Sequence, residues 1–175
     1  MEFNKLVKEQ LLPILEKAGF KLSEEFKNII RFESHTLQIN IVYNDYERAN
    51  LIEIGKKNGI LYPLNDSVIK YIFKSELPID QVTPEIFLKN LSVIFEKGVG
   101  FEILQGNIKD LVDYVEKESS DYTFELIHRQ TLDAASKAWD IKDYKNFIEL
   151  IDRIDIYKVS KSFQLKYKIA KQKIW

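Results

Sequence analysis

Acid–base chemistry in this chain rests on two histidines, because the sequence contains no cysteine. That excludes thiol nucleophiles, zinc–thiolate sites, iron–sulfur clusters and disulfides. His35 lies in the stretch RFESHTLQINIVYNDYERANLIEI, residues 31–54, with Glu33 two positions earlier. A histidine base needs a nucleophile or substrate within hydrogen-bond reach and a third group to orient its ring. Glu33, on an adjacent strand end, is the group placed to approach His35, so an enzyme would be built on this pair. An ordinary turn histidine fits the same spacing, and Asp45, Glu47, Arg48 and Glu53 then read as turn and wet-face charges. The expectation is a solvated sheet.

His128 sits in ELIHRQ with Glu125 three residues before it. Glu-x-x-His on a helix can meet one metal, as in di-iron bundles, but those bundles need the motif twice with further glutamates on facing helices. The second copy is missing, and so is His-Glu-x-x-His. Gly98, Gly100 and Gly106 form a loose cluster between helical segments, without the Lys-Ser or Lys-Thr ending of a P-loop or the spacing of a dinucleotide fingerprint. They read as turn and cap glycines. No Gly-x-Ser-x-Gly elbow occurs. The sequence therefore nominates no catalytic, cofactor-binding or metal-ligating residue, and the expected cofactor is none.

These residues need elements to hold them. Phe3, Leu6, Val7, Leu11, Ile14, Leu15 and Ala18 recur at three and four, which predicts an amphipathic helix over residues 3–18, kinked at Pro13 and stopped at Gly19. The period then falls to two. Leu37, Ile39, Ile41 and Tyr43 alternate with Thr36, Gln38 and Asn40, which predicts a strand. A less regular strand precedes it, with Phe26, Ile30 and Phe32 on one face. ANLIEIG follows Asn44-Asp45 as a third strand, and the Asn58-Gly59 turn signal leads into ILYPL as a fourth. Short turns imply an antiparallel meander with one face on the helix and one face wet.

Beyond residue 64 the pattern is helical. Asp66 or Ser67 caps VIKYIF. Thr83 and Pro84 open a helix that ends at Gly98. Asn107 opens IKDLVDYVEKE, a separate helix covers residues 121–139, and Ser160 caps the last. The fold class is thus α+β: an N-terminal helix on a three- to four-stranded antiparallel meander, then an all-helical part. The expected division is residues 1–64 and 65–175, packed as one compact unit. Trp139, Tyr144 and Trp175 are core or contact residues.

Composition sets the class. The chain has 175 residues, 45% hydrophobic and 13% aromatic, enough to fill a core. A formal net charge of −1 points to neither a nucleic-acid nor a membrane-surface binder. The N-terminal stretch MEFNKLVKEQLLPILEKAGF lacks a signal-peptide core, and no apolar run approaches the ~18 residues of a membrane span. The expectation is a cytoplasmic protein with no membrane partner. Its preference for lysine over arginine matches AT-rich bacterial coding.

Two charge asymmetries remain. Residues 102–125 are rich in acids, and Asp110, Asp113, Glu116 and Glu118 are the candidate partner-binding residues for a basic protein. The alternative is a nucleic-acid-associated regulator using Lys161, Lys166, Lys168, Lys171 and Lys173, where no acid follows Asp155 and aromatics are interleaved.

Finally, the helix ending in Gly19, Phe20 and Lys21 feeds a meander whose second strand alternates apolar and amide residues. Over residues 1–60 this resembles small bacterial domains of unknown function, including immunity-type proteins. The resemblance implies a non-enzymatic protein that binds another protein, in its most concrete form a toxin.

Overall fold

The structure is a computed structural model that describes residues 2–174. The chain folds as two compact units, the first ending at Glu116 and the second beginning at Lys117. The boundary expected after residue 64 therefore moves: residues 65–116 belong with the sheet.

The first unit opens with α1 (Phe3–Gln10) and α2 (Leu12–Lys17) in place of one kinked helix. Pro13 has no N–H to give and sits in the first turn of α2, so the hydrogen-bond ladder restarts there. Leu11 joins the two, donating to Val7 O at 2.8 Å and accepting from Leu15 N at 2.9 Å. Gly19, at φ +89°, lets Phe20 N–H reach back to Leu15 O at 2.9 Å and closes α2.

Five strands follow: β1 (Lys21–Phe26), β2 (Ile29–Glu33), β3 (Leu37–Asn44), β4 (Ala49–Lys56) and β5 (Leu61–Pro63). They form an antiparallel meander in sequence order. The sheet has one strand more than the upper expectation because residues 21–33 are a hairpin. The chain reverses at Lys27-Asn28 with Asn28 at φ 58°, a left-handed conformation that asparagine tolerates. β1 is exposed along its whole length, and a bulge interrupts its register between Leu22 and Glu24.

Strand alternation sends Ile30, Phe32, Leu37, Ile39, Ile41, Ile52 and Ile54 to one face, where all are buried. They share a core with Phe3, Val7, Leu11, Leu15 and Phe20, and with Phe87, Leu88, Leu91 and Phe95. Side chains of this size contribute roughly 1.5–3 kcal/mol each on full burial. The remaining helices of this unit are α3 (Asp66–Tyr71), α4 (Pro84–Glu96), α5 (Gly98–Leu104) and the start of α6 (Lys109–Asp140). Asn65, not Asp66 or Ser67, caps α3, accepting from Val68 N at 2.8 Å. Thr83 caps α4 with Pro84 in its first turn, as expected. Gly98 and Gly100 do not sit in a loop: they begin α5. A Cβ at Gly100 would overlap Ile94 O, so only glycine permits this approach of backbones.

α6 is one helix of 32 residues where two were expected. In the second unit its C-terminal half packs with α7 (Tyr144–Asp152) and α8 (Lys161–Lys173); a 3₁₀ turn at Ile156–Lys158 precedes α8. Ala135, Ala138, Phe147, Ile148, Ile151 and Ala170 are the core, with Trp139, Tyr144, Phe163 and Tyr167 against them. Trp139 lies 5.3 Å from Phe147 and 5.4 Å from Tyr144, centroid to centroid, so both expected candidates are packing residues. Trp175 lies outside the described residues. Asp143 caps α7 and Ser160 caps α8.

Candidate functional site

His35 is exposed in the β2–β3 turn. Ser34 Oγ accepts from Leu37 N at 3.0 Å and fixes that turn. The imidazole borders two surface depressions. One, of about 270 Å³, is lined by Lys21, Ser23, Glu33 and Lys57 among others; the second, of about 540 Å³, by Lys56, Gln105 and Gly106 among others. Glu33 is committed elsewhere, its Oε2 lying 3.2 Å from Lys57 Nζ. Among the described residues no hydrogen bond links Glu33 to His35, so the pair named from sequence is not an oriented couple.

His128 stacks on Phe124 along α6, with ring centroids 6.1 Å apart and planes at 24°. Glu125 is exposed beside it. No group of three or more potential metal ligands occurs among the described residues.

The strongest organisation is on the uncovered face of the sheet. Glu24, Arg31, Asn40 and Glu53 are cross-strand neighbours on β1 to β4. Arg31 Nη1 lies 2.8 Å from Glu24 Oε2, Arg31 Nε donates to Asn40 Oδ1 at 2.8 Å, and Asn40 Nδ2 donates to Glu53 Oε2 at 3.4 Å. Alongside this polar ladder runs an apolar row in the same register: Phe26 opposite Ile29, Ile29 opposite Val42, Val42 opposite Leu51. Phe26 is 61% exposed, Ile29 42% and Leu51 38%. The sequence reading missed this row because it set Phe26 on the core face with Ile30 and Phe32. The signal was there: Val42 and Leu51 are out of step with Ile41 and Ile52, so alternation sends them to the opposite face.

The acidic candidates fall in both units. Asp110, Asp113 and Glu116 belong to the first unit and Glu118 to the second. At 3.6 residues per turn, Glu118 also projects about 200° around the helix from Glu116. Asp113 pairs with Lys109 at 3.2 Å. Glu116 accepts a hydrogen bond from Tyr62 Oη at 2.8 Å, and that bond, followed by desolvation and the carboxylate's charge, raises the Tyr62 pKa above its ordinary value. Asp110 is exposed.

The five lysine candidates divide. Lys166 lies over Trp139 and Phe163, at 5.4 and 5.7 Å from their ring centroids, and Lys171 lies 4.8 Å from that of Tyr167. A hydrogen bond with Tyr167, which itself donates to Asp152, holds the Lys171 pKa above the usual lysine value. Lys161, Lys168 and Lys173 are exposed. Of the rings that would stack on bases, Phe163 and Tyr167 are instead occupied by core and by these ammonium groups, whereas Tyr157 is 87% exposed.

Among the described residues no helix is long and apolar enough to cross a membrane. Compared with known proteins, the chain matches no family model, no curated protein and no solved structure.

Proposed function

We propose that this chain is a non-enzymatic protein that works by binding another protein, most concretely an immunity-type inhibitor that covers a toxin in the bacterial cytoplasm. One observation carries the reading: the apolar row of Phe26, Ile29, Val42 and Leu51 across four strands of an uncovered sheet face. A contiguous exposed apolar patch rimmed by polar groups is the signature of a protein-binding surface. Here the rim is ordered in advance, because Glu24, Arg31, Asn40 and Glu53 hold one another. Docking against it costs little side-chain freedom. Asp110, Asp113 and Glu116 add negative charge to the same unit and favour a basic partner by steering its approach. The resemblance of residues 1–60 to immunity-type domains agrees with this reading, and the lack of cysteine suits a reducing compartment.

The test is a comparison of two immobilised baits, the native chain and a Phe26→Ser/Leu51→Ser variant with unchanged circular dichroism. Both are exposed to the soluble proteins of the source cells. The expected result is a protein retained by the native chain and lost from the variant. Identical retention by both baits overturns the reading.

A further inference from the structure

Alternation along the core face of β4 runs Ile52, Ile54, Lys56: both isoleucines are buried, and the third position holds an exposed ammonium group. Lys56 pairs across the sheet with Leu37, so both side chains leave on the helix-covered face, at the end of the sheet. An apolar residue there would extend the core, and lysine gives that up. It opens instead into the depression of about 540 Å³ in the first unit.

Three segments build this depression. The β2–β3 turn contributes His35 and Thr36, the end of β4 contributes Lys56 and Lys57, and the stretch between α5 and α6 contributes Gln105 and Gly106. Lys57 N donates to Thr36 O at 2.9 Å, and Ser34 Oγ accepts from Leu37 N at 3.0 Å and from Thr36 N at 3.4 Å, so the first two segments are fixed together. Gly106, at φ +110°, is in a conformation that favours glycine, and a Cβ there would stand 3.6 Å from Thr36 Oγ1. The missing side chain leaves that hydroxyl uncovered. Leu37 and Ile108, both buried, supply an apolar floor. Among the described residues Lys56 Nζ, the His35 ring, Thr36 Oγ1 and the Gln105 side-chain amide have no hydrogen-bond or ion-pair partner. Lys57 is engaged, 3.2 Å from Glu33, which lines the neighbouring depression.

We propose that this depression binds a small organic phosphate monoester, its phosphate held by Lys56, His35, Thr36 and Gln105 and its organic part resting on Leu37 and Ile108. Uncommitted donors from three separate segments suit a tetrahedral oxyanion approached from several sides. Planar carboxylates are matched best by the arginine fork, and these segments contain no arginine. An ammonium group strengthens such hydrogen bonds, and the side chains that would hold the phosphate include no carboxylate to repel it. The volume falls within the roughly 300–1,000 Å³ of small-molecule sites, so there is room for more than a free phosphate ion. The site uses the margin of the covered face, whereas Phe26, Ile29, Val42 and Leu51 lie on the uncovered one, and it therefore stands independently of the protein-binding reading.

Titration of the full chain with phenyl phosphate, followed by proton–nitrogen NMR, tests this. The expected result is a saturable shift of the Thr36, Lys57 and Gly106 amides with a Kd of about 1 mM or tighter. Inorganic phosphate and phenol are each expected to bind about tenfold more weakly or worse, since each offers half of the ligand. Lys56→Glu should weaken phenyl phosphate about tenfold or more, and Thr36→Val about threefold or more. Lys89→Glu makes the same change of charge at an exposed position on α4 and is expected to leave binding as it was. No saturable shift at those three amides overturns the proposal, as does inorganic phosphate or phenol binding as tightly as the ester, or equal weakening by Lys56→Glu and Lys89→Glu. Should Lys56→Glu fail to fold, Lys56→Gln carries the same expectation. The sheet-face variant Phe26→Ser/Leu51→Ser is expected to bind phenyl phosphate as the native chain does, so failure here and failure of the sheet-face reading are separate results.

Discussion

Tyr62 Oη donates a hydrogen bond to Glu116 Oε1 at 2.8 Å, tying β5 to the first part of α6. The tyrosine resists ionisation because a phenolate at that position would lose the bond and face a carboxylate, and its pKa is accordingly raised above 10.0. A raised folded-state value means that the contact is fully present below the ordinary tyrosine range and is lost as pH rises through the raised value. The prediction is that Glu116→Gln lowers the Tyr62 titration towards the ordinary value, while Tyr62→Phe removes that resonance. Carbon-13 NMR of the tyrosine rings reads both; an unmoved Tyr62 in Glu116→Gln would contradict the assignment.

Adjacent residues of β4 should respond in opposite ways to the same change. Ile52 is fully buried, and a carboxylate there would be unpaired in the core. Ile52→Asp is expected to unfold the first unit or cost more than about 4 kcal/mol. Leu51 faces water, and Leu51→Asp is expected to cost under about 1 kcal/mol. Urea denaturation measures both, and equal losses would mean that the face assignment is wrong.

Two glycines two residues apart separate steric from conformational need. At Gly100 any Cβ strikes Ile94 O, so Gly100→Ala is expected to cost roughly 1–3 kcal/mol or more through forced backbone displacement. At Gly98 nothing lies within 4 Å, but φ is +65°. Gly98→Ala is expected to cost about 1–2 kcal/mol from the left-handed conformation alone. Thermal melts of both variants check the ranking, and it is the order that matters.

Once a partner is in hand, the acidic contribution is separable from the apolar one. Reversing Asp110, Asp113 and Glu116 together should slow association and flatten its dependence on salt, because exposed charges act mainly on the encounter rate. Phe26→Ser/Leu51→Ser should speed dissociation instead. Surface plasmon resonance at two salt concentrations distinguishes them. Unchanged association rate and salt slope in the triple variant would remove the acids from the binding surface.

What the sequence revealed depended on how far each residue's preference was local. Alternation in β3 was readable because Leu37, Ile39 and Ile41 are buried on one face and Gln38 and Asn40 are not. The caps at Thr83 and Ser160 were readable because the hydroxyl bonds its own first turn. The reversal at Asn28 was not, since no glycine marks it and its support comes from afar: Asn28 O accepts from Tyr43 N at 2.9 Å, and its amide donates to Asp45 at 2.6 Å. The continuity of α6 was hidden by EKESS, where no apolar residue keeps the stripe, although lysine and glutamate sustain an exposed helix on propensity alone. Alternation placed Val42 and Leu51 off the core face, but their alignment with Phe26 and Ile29 into one row comes from register across four strands, which is a tertiary fact.

β1 has a meaning beyond the meander it begins. An outermost strand with free backbone donors and acceptors is a template on which unrelated chains can build, the first step towards fibrils. Here the bulge between Leu22 and Glu24 breaks the flat repeat, and Lys21, Glu24 and Glu25 bring charge to the rim, with Glu25 clasped by Lys8 at 3.0 Å. At the far margin β5 spans only three residues and ends in a proline, which has no donor to offer. The sheet thus presents a greasy face while keeping both margins unfit for runaway polymerisation.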